Sequence, residues 1–131
     1  VSTPNFNYGQ SEIKAFNDAA SGGVVHFDES AVRQAVGLYD KMINGLKGIR
    51  RNLTTLEDGS GFGGFDSGRQ LQSGFSRKAA DGIAVIDQLI DGAMQLQEAY
   101  LRAGGLFKEA DKLNGDRIKI VGDLEAEDRK K

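Results

Sequence analysis

The chain has 131 residues, 39% hydrophobic and 27% charged, with a formal net charge of −2. This is the profile of one globular domain, not of a disordered chain. The 17 basic and 19 acidic residues are interspersed, so no basic face marks a nucleic-acid binder, and the absence of cysteine excludes disulfides and thiolate metal sites.

No apolar run approaches the roughly 20 residues that span a bilayer. The start Val1-Ser-Thr-Pro-Asn lacks the basic-then-hydrophobic pattern of a general secretory signal peptide. The expectation is cytoplasmic synthesis, with any export taking another route. Pro4 is the only proline, so everything after it is free to be helical. Many of the eighteen glycines cluster at Gly22–Gly23 and between Gly59 and Gly74, where they read as connections.

Residues 11–20 fit a short helix with Ser11 as N-cap and Ile13 and Phe16 on one side, ended by Gly22–Gly23. A long helix then begins near Asp28. Its carboxylate suits an N-cap, and Phe27 and Val32 are spaced for a hydrophobic staple. Val32, Val36, Tyr39, Ile43, Leu46, Ile49, Leu53 and Leu56 recur at steps of 3 and 4, one helical stripe that Glu57-Asp58-Gly59 ends.

A second long helix is expected from Leu71 to Leu113. Its stripe runs through Phe75, Ala79, Gly82, Ile86, Leu89, Ala93, Leu96, Tyr100, Ala103, Phe107 and Ala110, a coiled-coil-like seam stopped at Asn114–Gly115. The two stripes can be buried only against each other. The expected fold is therefore all-α, a long antiparallel helical hairpin over residues 28–113 with a Gly-rich connection at 57–74. An N-terminal segment (1–27) precedes it and a charged C-terminal tail (114–131) follows.

The second helix carries an additional apolar shoulder at Ile83, Ile90, Met94 and Leu101, about 100° round from its seam. A face that wide needs two neighbours. Another chain is the natural second one, making these four residues the expected partner interface and a four-helix bundle the expected dimer. The N-terminal helix competes for the same place.

Chemistry-bearing residues are sparse. His26 is the only histidine, too few for a zinc site, and no nucleophile, base and orienting carboxylate form a triad. Asp40, Asp81, Asp87, Asp91 and Glu98 fall off the seams, where they read as solvated, and lack the Glu-x-x-His pair of a di-iron bundle. No catalytic, cofactor or metal site is assigned. The stretch Gly59-Ser-Gly-Phe-Gly-Gly-Phe-Asp-Ser-Gly68 lacks the Gly-Lys-Ser/Thr of a P-loop and no strand precedes it. It reads either as a plain turn or as a recognition tip with Phe62, Gly64 and Phe65 exposed.

Two long helices joined through Phe62-Gly63-Gly64 resemble the WXG100 or ESAT-6-like proteins, Phe62 standing where the family has Trp. The likeness covers about residues 28–113. The family's Tyr-x-x-x-Asp/Glu export signal is not read at Tyr39 or Tyr100, where Ile43 and Gly104 stand four residues on. The resemblance implies a non-enzymatic protein, homo- or heterodimeric with another helical hairpin and secreted by or associated with a type VII system of actinobacteria and related bacteria. The alternative is a cytoplasmic helical adaptor or structural coiled-coil module unrelated to secretion. Neither reading requires a cofactor, a nucleic acid or a transmembrane segment.

Overall fold

The computed structural model describes residues 7–58 and 66–129, with side chains described through Asp123. Among the described residues there are four helices and no strand: α1 (Gln10–Ser21), α2 (Glu29–Glu57), α3 (Asp66–Ala103) and α4 (Phe107–Arg129). The fold is all-α, and none of these helices is long and apolar enough to cross a membrane.

Gly9, not Ser11, is the N-cap of α1, and Gly22–Gly23 ends the helix as expected. Gly23 takes φ 75°, a left-handed conformation that costs an L side chain but not glycine. The Val24 N–H then reaches the Ala19 carbonyl at 2.9 Å and the Gly23 N–H reaches Ala20 at 3.3 Å, the two bonds of a Schellman motif.

Asp28 is the N-cap residue of α2 but makes no side-chain cap bond. The entry is fixed from outside: the Phe27 N–H donates to the Ala103 carbonyl at 2.9 Å. The Phe27 ring packs on Tyr100 and Phe16, with centroids at 5.8 and 6.1 Å. Val32, the other half of the expected staple, is fully buried and lies against Gly104.

α2 and α3 lie side by side in opposite directions. Leu53 meets Gly82, Arg50 meets Asp87, Val36 and Asp40 meet Gln97, and Val32 meets Gly104. Glycine at 82 and 104 sets the close approach, since an added Cβ would lie 3.1 Å from Leu53 Cδ1 or 2.9 Å from Val32 Cγ2. Buried Gln97 donates to the Val36 carbonyl at 2.9 Å and to Asp40 Oδ1 at 2.7 Å, which satisfies both of its amide N–H bonds.

The expected helix 71–113 is two helices. α3 starts at Asp66, taking in Gly68 and Gly74, and stops at Ala103. Gly105 at φ 75° closes a second Schellman motif: the Leu106 N–H reaches the Leu101 carbonyl at 2.8 Å, and the Gly105 N–H reaches Arg102 at 3.0 Å. α4 then folds back along α3. Asn114–Gly115 lies inside α4, and the segment expected as a charged tail is helical through Arg129.

α3 is thus the central helix, in contact with α1, α2 and α4. Its interior side chains form two clusters. One joins Ile43 to Ile86, Ile90, Ala93 and Met94, backed by Leu113 and Ile120; the other joins Val32, Leu101 and Ala110.

Candidate protein-interaction surface

Ile83, Ile90, Met94 and Leu101, the expected partner interface, are buried within the single chain at 3, 3, 7 and 4% exposure. The wide apolar face of α3 does have a second neighbour, and for Ile90, Met94 and Leu101 that neighbour is α4. Leu113 and Ile120 pack on the cluster that holds Ile90 and Met94, while Ala110, with Leu106 just before α4, joins the cluster of Leu101. In this arrangement α4 stands between Ile90, Met94 and Leu101 and any other chain. Phe62, Gly64 and Phe65 lie outside the described residues.

Ion pairs tie α4 down. Arg102 bridges Glu98 at 2.8 Å and Asp111 at 2.9 Å, and Arg117 bonds Asp91 at 2.7 Å. Arg33 of α2 grips Glu109 through both guanidinium nitrogens, at 2.6 and 2.8 Å. That bond holds the Glu109 carboxyl below the usual carboxylate range. The Glu98 hydrogen bond likewise holds Arg102 more firmly protonated than usual.

Four of the five acids expected to be solvated are therefore engaged: Asp87 on Arg50, Asp91 on Arg117, Glu98 on Arg102 and Asp40 on Gln97. Asp81 and His26 are exposed. A polar cleft of about 470 Å³ between α1, α3 and α4 is lined by Asn17, Gln95, Glu98, Arg102, Asn114 and Arg117. Within it Glu98 pairs with Arg102, and Arg117 is held by Asp91.

The open surface is on α2. Its inward stripe is buried Val32 and Ile43 with half-buried Val36, Tyr39, Leu46 and Leu53; Ile49 and Leu56, expected there, face outward. They belong to a second ladder one position round the helix: Ala31, Ala35, Leu38, Met42, Gly45, Ile49, Asn52 and Leu56. Its steps alternate 4 and 3 throughout, the spacing of a helix-pairing seam.

Leu38, Met42, Ile49 and Leu56 are 66, 45, 49 and 49% exposed, so they line one edge of α2, interrupted by Asn52. Gly45 stands in its middle, where an added Cβ would meet nothing within 4 Å.

The sequence matches no family model, no curated protein and no solved structure. Sequence reading missed the ladder because the deeper stripe on α2 explained the helix by itself; the unbroken 4 and 3 alternation from Ala31 to Leu56 was the available signal. A Tyr-x-x-x-Glu spacing was also passed over, at Tyr8 and Glu12. Tyr8 precedes α1 and its ring lies over Gly92 of α3, where an added Cβ would be 2.5 Å from Cε2.

Proposed function

We propose that this protein is a non-enzymatic protein-binding module of the WXG100-like kind, exported by a type VII secretion system or bound to a protein so exported. The observation that carries the reading is the antiparallel pairing of α2 with α3, with an apolar ladder on α2 left uncovered among the described residues. A long, rigid, apolar helix edge is suited to receive another helix, and dimerisation with a second helical hairpin would then build a four-helix bundle on α2. Nothing in this function asks for a cofactor, a nucleic acid or a membrane span.

The test is export. A tagged chain expressed in an actinobacterial host should reach the culture filtrate, alone or with a co-purifying helical protein, only while the type VII apparatus is intact. Retention of the chain and its bound partners inside the cell, with or without the apparatus, contradicts the proposal.

The burial of α3's wide face by α4 favours a second reading, a self-contained helical adaptor unconnected with secretion. That reading predicts stable partner binding with no dependence of either protein's location on the apparatus.

A further inference from the structure

We infer that the cavity between α2 and α4 binds an aliphatic primary ammonium ion. It is a small-molecule site, separate from the protein-binding function above and independent of it. A buried amide oxygen and two carboxylates without basic partners lead to it.

α2 and α4 both run along α3, and their backbones do not come together among the described residues. The Arg33–Glu109 ion pair bridges them at one end, at 2.6 and 2.8 Å. Beside it lies a cavity of about 420 Å³, a size that suits a small ligand, with Val36, Leu101 and Leu113 as its apolar lining.

Gln97 supplies the first polar contact. It lines the cavity although only 2% of it is exposed. Both N–H bonds of its amide are used, on the Val36 carbonyl at 2.9 Å and on Asp40 Oδ1 at 2.7 Å. Its Oε1 takes no donor from the described residues and is not sealed from solvent. A nearly buried acceptor in that state gains from any N–H that reaches it.

Charge sets the sign of the ligand. Asp40, Glu109 and Asp116 line the cavity against a single Lys112. Arg33 takes Glu109, whereas Asp40 and Asp116 have no ion pair with a described residue. Lys112 is exposed, and its long stem lets the head stay in water. No three ligating side chains come together around a metal ion among the described residues, so the fit is to a cation that brings its own apolar body. An ammonium group gives one N–H to Asp40 and another to the adjoining Gln97 oxygen, while its alkyl chain lies on Val36, Leu101 and Leu113. A quaternary ammonium has no N–H to give, and a carboxylate has the wrong sign.

The experiment titrates the full chain with hexylammonium, hexyltrimethylammonium, hexanoate and hexanol, followed by backbone amide NMR shifts. Hexylammonium should bind with a dissociation constant below about 1 mM, at least about tenfold tighter than the other three, and should shift the amides around Val36, Gln97 and Leu113. Asp40→Asn should weaken it about tenfold while the circular dichroism spectrum stays that of the parent, and Asp116→Asn should act in the same direction. Gln97→Met keeps the length of the side chain and removes the oxygen, and should also weaken binding. Should that buried variant fail to fold, the two exposed Asp variants decide the matter.

No binding of hexylammonium at about 10 mM overturns the inference. So does equal binding of hexanol, which would leave only an apolar groove, or of hexyltrimethylammonium, which would remove the need for N–H donors. Affinity unchanged in Asp40→Asn, or shifts confined to other parts of the chain, overturns it as well. Tighter binding of calcium than of hexylammonium at the same amides overturns it in favour of a metal site.

Discussion

The Leu106 backbone N–H lies 2.8 Å from the Leu101 carbonyl, and this bond turns the chain from α3 into α4. The geometry requires Gly105 at φ 75°, and it brings Leu106 onto the cluster that contains Leu101. Everything α4 covers depends on that reversal.

Gly105→Ala places a Cβ in the left-handed region and should destabilise the chain by about 1–2 kcal/mol. A lower urea midpoint with an unchanged slope is the expected measurement.

Glycine at two other positions separates packing from propensity. At Gly45 an added Cβ meets nothing, so Gly45→Ala should stabilise the free protein by about 0.5–1 kcal/mol through helix propensity. At Gly104 the Cβ would lie 2.9 Å from Cγ2 of fully buried Val32, so Gly104→Ala should cost about 1–3 kcal/mol. Thermal denaturation of the two variants should give shifts of opposite sign.

A charge on each apolar face distinguishes interior from surface. Ile90→Asp buries a carboxylate with no partner among Ile43, Ile86 and Met94, and should cost roughly 3–5 kcal/mol and collapse cooperative unfolding. Met42→Asp is on an exposed edge and should move stability by less than about 0.5 kcal/mol. Were Ile90 at a partner interface, its charge would spoil association and leave the fold partly intact; α4 occupies that face, so the fold itself should fail.

The acid limb of stability should carry a signature of Arg33 and Glu109. The hydrogen bond from Arg33 lowers the Glu109 pKa, so the folded state is favoured above the ordinary Glu range and loses that contribution as pH falls through the depressed value. Glu109→Gln removes the titration. Its deficit against the parent should be present at neutral pH and fade in acid, as followed by denaturant midpoints across that range.

How much of this was legible follows from particular residues. The end of α1 and the start of α2 were legible at Gly22–Gly23 and Asp28, but only the first is fixed locally, by the left-handed Gly23; Asp28 makes no side-chain cap bond, and the Phe27 N–H on the Ala103 carbonyl holds the entry of α2. The end of α3 carries the same signature, Gly-Gly followed by an aliphatic residue, at Gly104–Gly105–Leu106 as at Gly22–Gly23–Val24. It was passed over because the seam spacing through Tyr100, Ala103, Phe107 and Ala110 continues unbroken, although Phe107 is 44% exposed and Ala110 serves a different helix. Periodicity reports which residues share a face; it does not report that the chain has reversed.

The width of α3's apolar face was legible for the same reason, and the identity of its second neighbour was not. Nothing local to Ile90 or Met94 says whether Leu113 and Ile120 return from the same chain or another molecule supplies the cover. The ladder on α2 was hidden differently. One apolar stripe suffices to account for a helix, and the outer stripe gains meaning only once the inner one is known to be buried.

α4 completes the core of a single chain, and among the described residues the outer edge of α2 stays uncovered. The most direct measurement is the denaturation midpoint of the purified protein over about a hundredfold range of concentration. The account predicts cooperative unfolding at a midpoint independent of concentration. A midpoint that climbs with concentration, as for a dimer whose protomers fold only together, would contradict it.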